Sequence, residues 1–210
     1  MEKLGAIILA AGLSSRMHDF KPLLELGGQT IISRVLSLVR VVGAEPVVVV
    51  TGYRAAELEE HLAGERVQFA RNEQYNTTQM LDSLLIGLEQ IPPDCGRVLI
   101  APADIPLVQP ETIRQLLRHD GQFVRPTHKG KNGHPAIMSR ELVPLLFHYT
   151  GDNGLRGAID DVGIKITDIE VSDPGVLLDA DTPGDYEELR RYFTEEFVSE
   201  QVESHDCLPN

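Results

Sequence analysis

Residues 9–17, which read LAAGLSSRM, and residues 21–23, which read KPL, decide the fold and the chemistry of this chain. The apolar run at residues 4–9 that leads into them is typical of a buried strand. Small residues follow the run, and they let backbone N–H groups approach a ligand closely. Arg16 and Lys21 then add two cations at short range. Backbone donors and two fixed cations suit the phosphates of a triphosphate, because they pair with the oxygens and neutralise their charge.

A competing interpretation is a tight strand-to-helix turn that carries an arginine and a lysine at the surface. Two common phosphate-binding motifs are absent from the sequence. There is no G-x-x-x-x-G-K-[ST] loop, and no G-x-G-x-x-G follows the first strand. The second absence argues against a nicotinamide-dependent dehydrogenase, because that fingerprint is where such enzymes hold the dinucleotide pyrophosphate.

Strand and helix patterns alternate along the rest of the chain. Strands are predicted at residues 4–9, 46–51, 67–70, 98–101, 123–124, 135–138, 164–171 and 175–178. Helices are predicted at residues 31–42, 55–62, 81–88 and 110–118, after residue 139, and from residue 183. This alternation predicts a single Rossmann-like three-layer α/β domain over residues 1–193, with a mostly parallel sheet and helices on both faces. Ligands of such sheets bind beyond the carboxyl ends of the strands, where residues 9–17 are expected.

Composition narrows the classes of partner. The chain has 210 residues, of which 42% are hydrophobic, which suits one domain with a sizeable core. A formal net charge of −13 argues against nucleic acid as a partner, since the phosphate backbone is also negative. No apolar stretch is long enough to span a bilayer. With no leader-like segment at the start, a cytoplasmic protein is expected, and residues 194–210 are expected to form an acidic tail.

Carboxylates follow two of the apolar runs. Asp104 follows the predicted strand at residues 98–101, at the same sheet edge as the first loop, and Mg²⁺ binds one or two carboxylates together with phosphate oxygens. Asp179 and Asp181 end a later run, and in an alternating strand they would share a face, with Asp181 the first choice as a ligand. Alternatively, Asp104 only forms a turn before Pro106. Asp181 would then only stabilise the N-terminus of the following helix through the helix dipole.

The motifs resemble those of a known family. LAAG-x-S-x-RM followed by K-P-L resembles the signature of the nucleotidyltransferases that include the molybdenum cofactor cytidylyltransferases and guanylyltransferases. P-A-D-x-P-L at residues 102–107 and D-x-D-T-P at residues 179–183 are similar to the metal-binding motifs of that family. G-H-P at residues 133–135 is similar to an element of the cytidylyltransferases. Ala11 stands where the guanylyltransferases usually carry a second glycine, which favours CTP over GTP.

The resemblance implies a set of site residues. His134 and Arg125 are expected on the acceptor side, although a structural turn explains His134 equally well. Residues 72–83 match the family more loosely, because Gln79 stands where relatives usually have glycine. Asn72 and Ser83 remain candidates for contacting the base or ribose, or alternatively a turn and a helix cap. The implied nucleotide-binding residues are Leu9, Ala10, Ala11, Gly12, Ser14, Ser15, Arg16, Lys21, Asn72 and Ser83.

The resemblance also implies a reaction. CMP would pass from CTP to the terminal phosphate of molybdopterin, and pyrophosphate would leave. Arg16, Lys21 and Asp104 would be the catalytic residues, with Mg²⁺ held by Asp104 and either Asp181 or Asp179. A molybdenum hydroxylase lacking its cofactor is an implied partner. The alternatives are a guanylyltransferase on the same cofactor, a cytidylyltransferase on a sugar or polyol phosphate, and a non-catalytic cofactor carrier.

Overall fold

A computed structural model describes residues 2–17 and 19–197. Strands and helices alternate along this part of the chain. The strands are β1 (Lys3–Ala10), β2 (Glu25–Leu26), β3 (Gln29–Thr30), β4 (Val47–Thr51), β5 (Gln68–Arg71), β6 (Cys95–Pro102), β7 (Phe123–His128), β8 (Lys131–Asn132), β9 (Ala136–Ser139) and β10 (Ile166–Glu170). The α-helices are α1 (Ile31–Val41), α2 (Ala55–His61), α3 (Met80–Gln90), α4 (Pro110–Leu117), α5 (Val143–Phe147), α6 (Gly154–Val162) and α7 (Pro183–Tyr192).

The main sheet has the strand order β10-β7-β9-β6-β1-β4-β5, with β8 paired to β7. Strands β6, β1, β4 and β5 pair in parallel, and so do β7 and β10. Strand β9 is antiparallel to both of its neighbours. The central strands β1 and β4 are almost wholly buried, as expected for continuous apolar runs covered on both faces. The predicted α/β class with a mostly parallel sheet is therefore confirmed.

Helices cover both faces of this sheet. Because side chains alternate along a strand, Ile8 and Val49 point to one face, where α1, α2 and α4 pack. Ile7 and Val48 point to the other face, where α3, α5 and α6 pack. A third cluster joins the β2–β3 hairpin to α7, with Leu26 and Leu189 among its buried members. The hairpin cluster matters for the site, since it connects the segment after Lys21 to the helix after Asp181.

One predicted strand is wrong. Residues Pro174–Leu177 form a 3₁₀ helix, where residues 175–178 were expected to be extended. Asp173 caps this turn by accepting a hydrogen bond from the backbone N of Gly175 at 2.9 Å, and Pro174 suits its first position. The expectation that Asp179 and Asp181 share the face of a strand fails with it, because neither residue lies in a strand.

The hairpin β2–β3, the short β8 and helix α6 were not predicted from the sequence. Phe193–Phe197 form a turn of π-helix directly after α7, across the predicted domain boundary at residue 193. The rest of the predicted acidic tail, residues 198–210, lies outside the described residues. Among the described helices, none is long and apolar enough to cross a membrane.

Candidate active site

The carboxyl ends of β1 and β6 bring two predicted segments together. Leu9 pairs with Pro102 in the sheet, and the backbone N of Ala103 donates to the carbonyl of Leu9 at 3.0 Å. Asp104 therefore lies next to the loop that begins at Ala11. Because β1 and β6 pair in parallel, the segments that follow them lie at one edge of the sheet. This is the placement that was predicted for Asp104 and the first loop.

The loop after β1 turns sharply at Ser14. Ser14 has a φ of 51°, a left-handed conformation that is uncommon outside glycine. Its hydroxyl accepts a weak hydrogen bond from the backbone N of Lys21 at 3.4 Å, and its carbonyl accepts one from the backbone N of Met17 at 3.1 Å. Gly12 and Ser15 are exposed, while Ala10 and Ala11 are buried. The turn folds the chain back so that Lys21 lies next to the loop.

Two cations and two carboxylates meet beside this loop. The ammonium of Lys21 forms a close ion pair with Oδ1 of Asp181 and lies 3.6 Å from Oδ2 of Asp104. The guanidinium of Arg16 pairs with the other carboxylate oxygen of Asp181 at 2.6 Å. Only 11% of the Lys21 side chain is exposed, against 67% of Arg16. The Lys21 ammonium thus bridges two carboxylates that are far apart in the sequence.

The neighbouring carboxylates differ in their pKa. Burial acts to raise the pKa of Asp181, but hydrogen bonds and charge from Lys21 and Arg16 outweigh it and hold that pKa below its ordinary value. Burial raises the pKa of Asp179, and the negative charges of Asp181 and Asp104 raise it further. The Asp179 carboxylate accepts a weak bond from the backbone N of Asp181 at 3.3 Å. Asp181 is therefore the ionised partner of the cations.

Capping of α7 does not require the Asp181 carboxylate. Thr182 is the N-cap, and its hydroxyl accepts from the backbone N of Asp185 at 3.3 Å. The carboxylate of Asp185 in turn accepts a bond from the backbone N of Thr182 at 2.8 Å, which completes a capping box. Since the first turn of the helix has these partners, the carboxylate of Asp181 is free to serve the site.

The donor set fits a hard divalent cation. Within residues 2–17 and 19–197, no group of three or more His, Cys, Asp or Glu side chains is arranged to hold a metal. Asp104 and Asp181 nevertheless present oxygens to one cationic atom, the Nζ of Lys21. Mg²⁺ characteristically takes one or two carboxylates and completes its shell with water and substrate phosphates. The pair fits such an ion and would leave most positions to a phosphate ligand.

A cavity of about 380 Å³ opens next to the carboxylates. It reaches from the loop after β1 to the first turn of α3. The lining residues are Leu9, Ala11, Gly12, Tyr75, Thr78, Gln79, Met80, Ser83, Pro102, Asp104, Ile105, His134, Asp179 and Asp181. A smaller cavity of about 80 Å³ adjoins Ser14, Lys21 and Asp104. One region therefore holds the first loop, all three metal-binding candidates and one acceptor-side candidate.

Asn72 and Ser83 lie together, but in different roles. Asn72 is 2% exposed and does not line the cavity. Its amide donates to the hydroxyls of Thr78 at 2.8 Å and Ser83 at 3.0 Å, while its carbonyl accepts from the backbone N of Gln74 at 3.0 Å. Asn72 thus organises the turn before α3, which agrees with the alternative prediction of a structural residue. Ser83 lines the cavity and remains a candidate contact.

The two acceptor-side candidates are placed differently. His134 lines the cavity, and its Nδ1 is buried without a hydrogen-bond partner among the described residues. Burial lowers the pKa of His134 below 6.5, and the charge of Asp104 only partly offsets this effect. Arg125 lies on β7 and pairs with Asp168 of β10 at 2.6 Å. Arg125 does not line the cavity, but its positive charge acts on His134 and lowers the pKa of that residue further.

Two residues of the site were missed as functional candidates. Gly52 follows β4, and a Cβ built there would lie 2.7 Å from both the carbonyl oxygen of Ala11 and the Cβ of Tyr75. A glycine directly after a β-branched strand was the available signal for this close approach. Gln79, noted only as a departure from the family pattern, donates from its side chain to the carbonyl of Asp152 at 2.9 Å and so joins α3 to the start of α6.

Comparisons with known proteins agree with this geometry. Residues 6–166 match the family described as the MobA-like NTP transferase domain. The chain is 27% identical to the molybdenum cofactor cytidylyltransferase of Escherichia coli strain K12 over 201 residues, which cover 93% of this chain and all of that protein. It is 37% identical over 125 residues to the bifunctional protein GlmU of Geobacter metallireducens, and spans about a quarter of the length of that relative.

A solved structure resembles nearly the whole chain. A nucleotidyl transferase from Methanothermobacter thermautotroptrophicus superimposes with a TM-score of 0.80 at 28% identity. The superposition covers 92% of this chain and 99% of the other. The fold and the family model therefore point to the same class of enzyme.

Proposed function

The chain belongs to the family of MobA-like NTP transferase domains and is a nucleotidyltransferase, and we propose that it transfers CMP from CTP to the terminal phosphate of molybdopterin. The observation that carries the proposal is the bridge from Lys21 to Asp104 and Asp181 beside a loop of small residues. Support for the acceptor comes from the relative in Escherichia coli, which matches along its whole length. Pyrophosphate is the second product.

The base preference rests on Ala11. This residue is buried, and its carbonyl and side chain lie against the backbone of Gly52. Ala11 and Ser83 both line the cavity. A pyrimidine base needs less room than a purine, so a filled wall at this position favours CTP.

Each charged residue has a distinct role in the proposed reaction. Asp104 and Asp181 would hold Mg²⁺, which would offset the charge of the triphosphate and align its phosphates. Arg16 and Lys21 lie against Asp181 and bind the oxygens of the pyrophosphate as it leaves. Ser14 and the small residues around it supply backbone donors that fix the position of the triphosphate.

The reaction does not require a dedicated general base. The attacking group is a phosphate oxygen, which is already ionised at neutral pH. His134 is held neutral by burial, and its ring lines the cavity. It binds the acceptor by a hydrogen bond and takes no proton. Catalysis then consists of positioning and electrostatic stabilisation, as in phosphoryl transfer generally.

The test is release of pyrophosphate in the presence of Mg²⁺ and molybdopterin, with CTP, GTP and ATP compared in parallel. Release with CTP alone is expected. Release with GTP alone would overturn the role of Ala11 while leaving the nucleotidyl transfer intact. Release with none of the three would contradict the acceptor and favour a carrier, or a sugar or polyol phosphate as the acceptor.

A matched pair of variants tests the metal site. Asp104→Asn removes a carboxylate at the carboxyl end of β6, and Asp94→Asn removes one at the amino end, where Asp94 pairs with Lys3 at the surface. We expect Asp104→Asn to abolish pyrophosphate release and Asp94→Asn to leave it unchanged. Equal activity of both variants would contradict the assignment of Asp104.

A further inference from the structure

Asp173 is a buried carboxylate that lies outside the cavity. It is 5% exposed, and both of its oxygens are hydrogen-bonded. Oδ2 accepts from the backbone N of Gln109 at 2.8 Å and from the hydroxyl of Thr112 at 2.7 Å. Oδ1 accepts from the backbone N of Gly175 at 2.9 Å. A buried charge with this many donors is held firmly, because each bond to an ionised acceptor is stronger than a neutral one.

These donors come from two different loops. Gln109 and Thr112 lie at the start of α4, at the end of the loop that runs on from Asp104. Gly175 lies in the 3₁₀ turn that leads to Asp181. The side chain of Gln109 does not cap α4, so the carboxylate of Asp173 supplies the acceptor and the negative charge that the helix start favours. Asp173 thereby holds the loop that follows Asp104 against the loop that leads to Asp181.

Further contacts continue from this point towards the cavity. A Cβ built on Gly175 would lie 2.1 Å from the carbonyl oxygen of Leu107, so the two loops touch directly there. The backbone N of Ala180 donates to the carbonyl of Asp104 at 3.1 Å. At the site itself, the ammonium of Lys21 bridges the carboxylates of Asp104 and Asp181, one from each loop. The loops are therefore packed together from Asp173 to the site itself.

We propose that Asp173 is a positioning residue, which sets the separation between the Asp104 and Asp181 carboxylates by fastening their loops together. This inference rests on the proposed function, because it takes those two carboxylates as the metal-binding pair. Between anchor and metal-binding residue, the first loop has no strand or helix and the second has only the 3₁₀ turn Pro174–Leu177, so the contacts between the loops fix their relative placement. Groups that hydrogen-bond metal ligands directly change metal affinity about 10- to 100-fold when they are removed, and Asp173 acts one contact further out, so the lower end of that range is expected.

Binding of Mn²⁺ alone tests this inference without depending on the nucleotide or the acceptor. Free Mn²⁺ is measured by electron paramagnetic resonance during titration of the full-length protein, at a temperature where every variant is folded by circular dichroism. Asp173→Asn keeps the shape and removes the charge and one acceptor oxygen. We expect it to weaken Mn²⁺ binding about 10-fold.

Glu59→Gln is the matched control. Glu59 also accepts three hydrogen bonds, one from Thr51 and two from Arg71, and it contacts neither loop. We expect this variant to bind Mn²⁺ within twofold of the native protein. A purely structural role for Asp173 predicts that both variants lower the melting temperature and that neither changes Mn²⁺ affinity.

Other results would overturn the inference in distinguishable ways. Native-like Mn²⁺ binding by Asp173→Asn, together with lost binding by Asp104→Asn, would refute the role of Asp173 alone. No Mn²⁺ binding by the native protein would refute the metal-binding pair as well. If Asp173→Asn does not fold, Thr112→Val removes one donor and keeps the carboxylate. Weaker Mn²⁺ binding in that variant is expected, and unchanged binding would contradict the inference.

Discussion

Replacing Lys21 by methionine tests two effects of its ammonium: it stabilises the Asp104 and Asp181 carboxylates, and it competes with a metal ion for their oxygens. Methionine has a similar length and suits a side chain that is mostly buried, but it carries no charge. In the native protein the ammonium lies between Asp104 and Asp181, so the substitution removes the cation that bridges the two carboxylates and leaves only the exposed Arg16 guanidinium, which pairs with Asp181. The same substitution removes the group that competes with a divalent cation for those oxygens. The variant should therefore be less stable without metal and more responsive to metal.

The expected loss of stability follows from the distance between the Lys21 ammonium and the carboxylates and from how exposed the carboxylates are. Two unit charges 3.6 Å apart, as between Lys21 and Asp104, attract by about 4–5 kcal/mol at an effective dielectric constant of about 20, and by about 1 kcal/mol in water. Each carboxylate is 29% exposed and so is partly hydrated, and burying the ammonium costs desolvation. We expect a net loss of about 1–2 kcal/mol of stability, which corresponds to about 2–8 °C in melting temperature for a chain of this size.

The assay is thermal unfolding in EDTA and in millimolar MgCl₂, combined with pyrophosphate release. Lys21→Met should melt below the native protein in EDTA and recover most of the difference in MgCl₂. Its pyrophosphate release should fall about 100-fold or more, because a donor to the leaving group is lost. Lys3→Met, which removes an exposed cation paired with Asp94, is the control and should change neither quantity.

The reasoning would be refuted by either of two results. One is a native melting temperature for Lys21→Met in EDTA, which would mean that the ammonium does not stabilise the carboxylate pair. The other is an equal stabilisation of variant and native protein by MgCl₂. In that case the ammonium and the metal would not compete for the same oxygens.

Three further predictions concern other parts of the site. Gly52→Ala should destabilise the protein by about 1–3 kcal/mol and raise the KM for nucleotide, because the added methyl group would clash with the carbonyl of Ala11. Unchanged unfolding in urea and an unchanged KM would contradict this prediction. Arg16→Gln should lower pyrophosphate release while changing stability by less than about 1 kcal/mol, since its pair with Asp181 is largely exposed; a large loss of stability in urea would contradict it. The pKa of His134 is lowered in the folded state, so the unfolded chain binds more protons and stability falls as the pH drops below about 6.5. His134→Asn should lose less stability than the native protein between pH 7 and pH 5, as measured by urea unfolding at each pH, and equal losses would count against it.

Element types were largely predictable because they depend on local pattern. The helix predicted from residue 31 begins there, and the hydroxyl of Thr30 caps it by accepting a bond from the backbone N of Ser33. The helix predicted from residue 183 also begins there, with Thr182 as its N-cap. The failure at residues 175–178 has a definite cause. An apolar run of four residues does not distinguish a strand from another buried segment, and here Asp173 and the packing of Leu107 impose a 3₁₀ turn.

The candidate site was predictable only in part. The order of motifs after β1 and β6 indicated that residues 9–17 and Asp104 lie at one sheet edge, and the structure places them there. The pairing of Arg125 with Asp168 was not predictable, because those residues meet only when β7 and β10 pair. The structural role of Asn72 also depends on side chains of a later turn and helix.

The sequence by itself determined the class of fold and the first loop of the site. Continuous apolar runs must be buried on both faces, and the loop of small residues with Arg16 and Lys21 follows the first run directly, so local pattern was sufficient. Only the tertiary structure decided that the Lys21 ammonium meets a carboxylate 160 residues away, and that Asp173 ties two loops together. Such contacts depend on how the helices and loops pack, and local sequence does not specify the distance between residues that are remote in the chain.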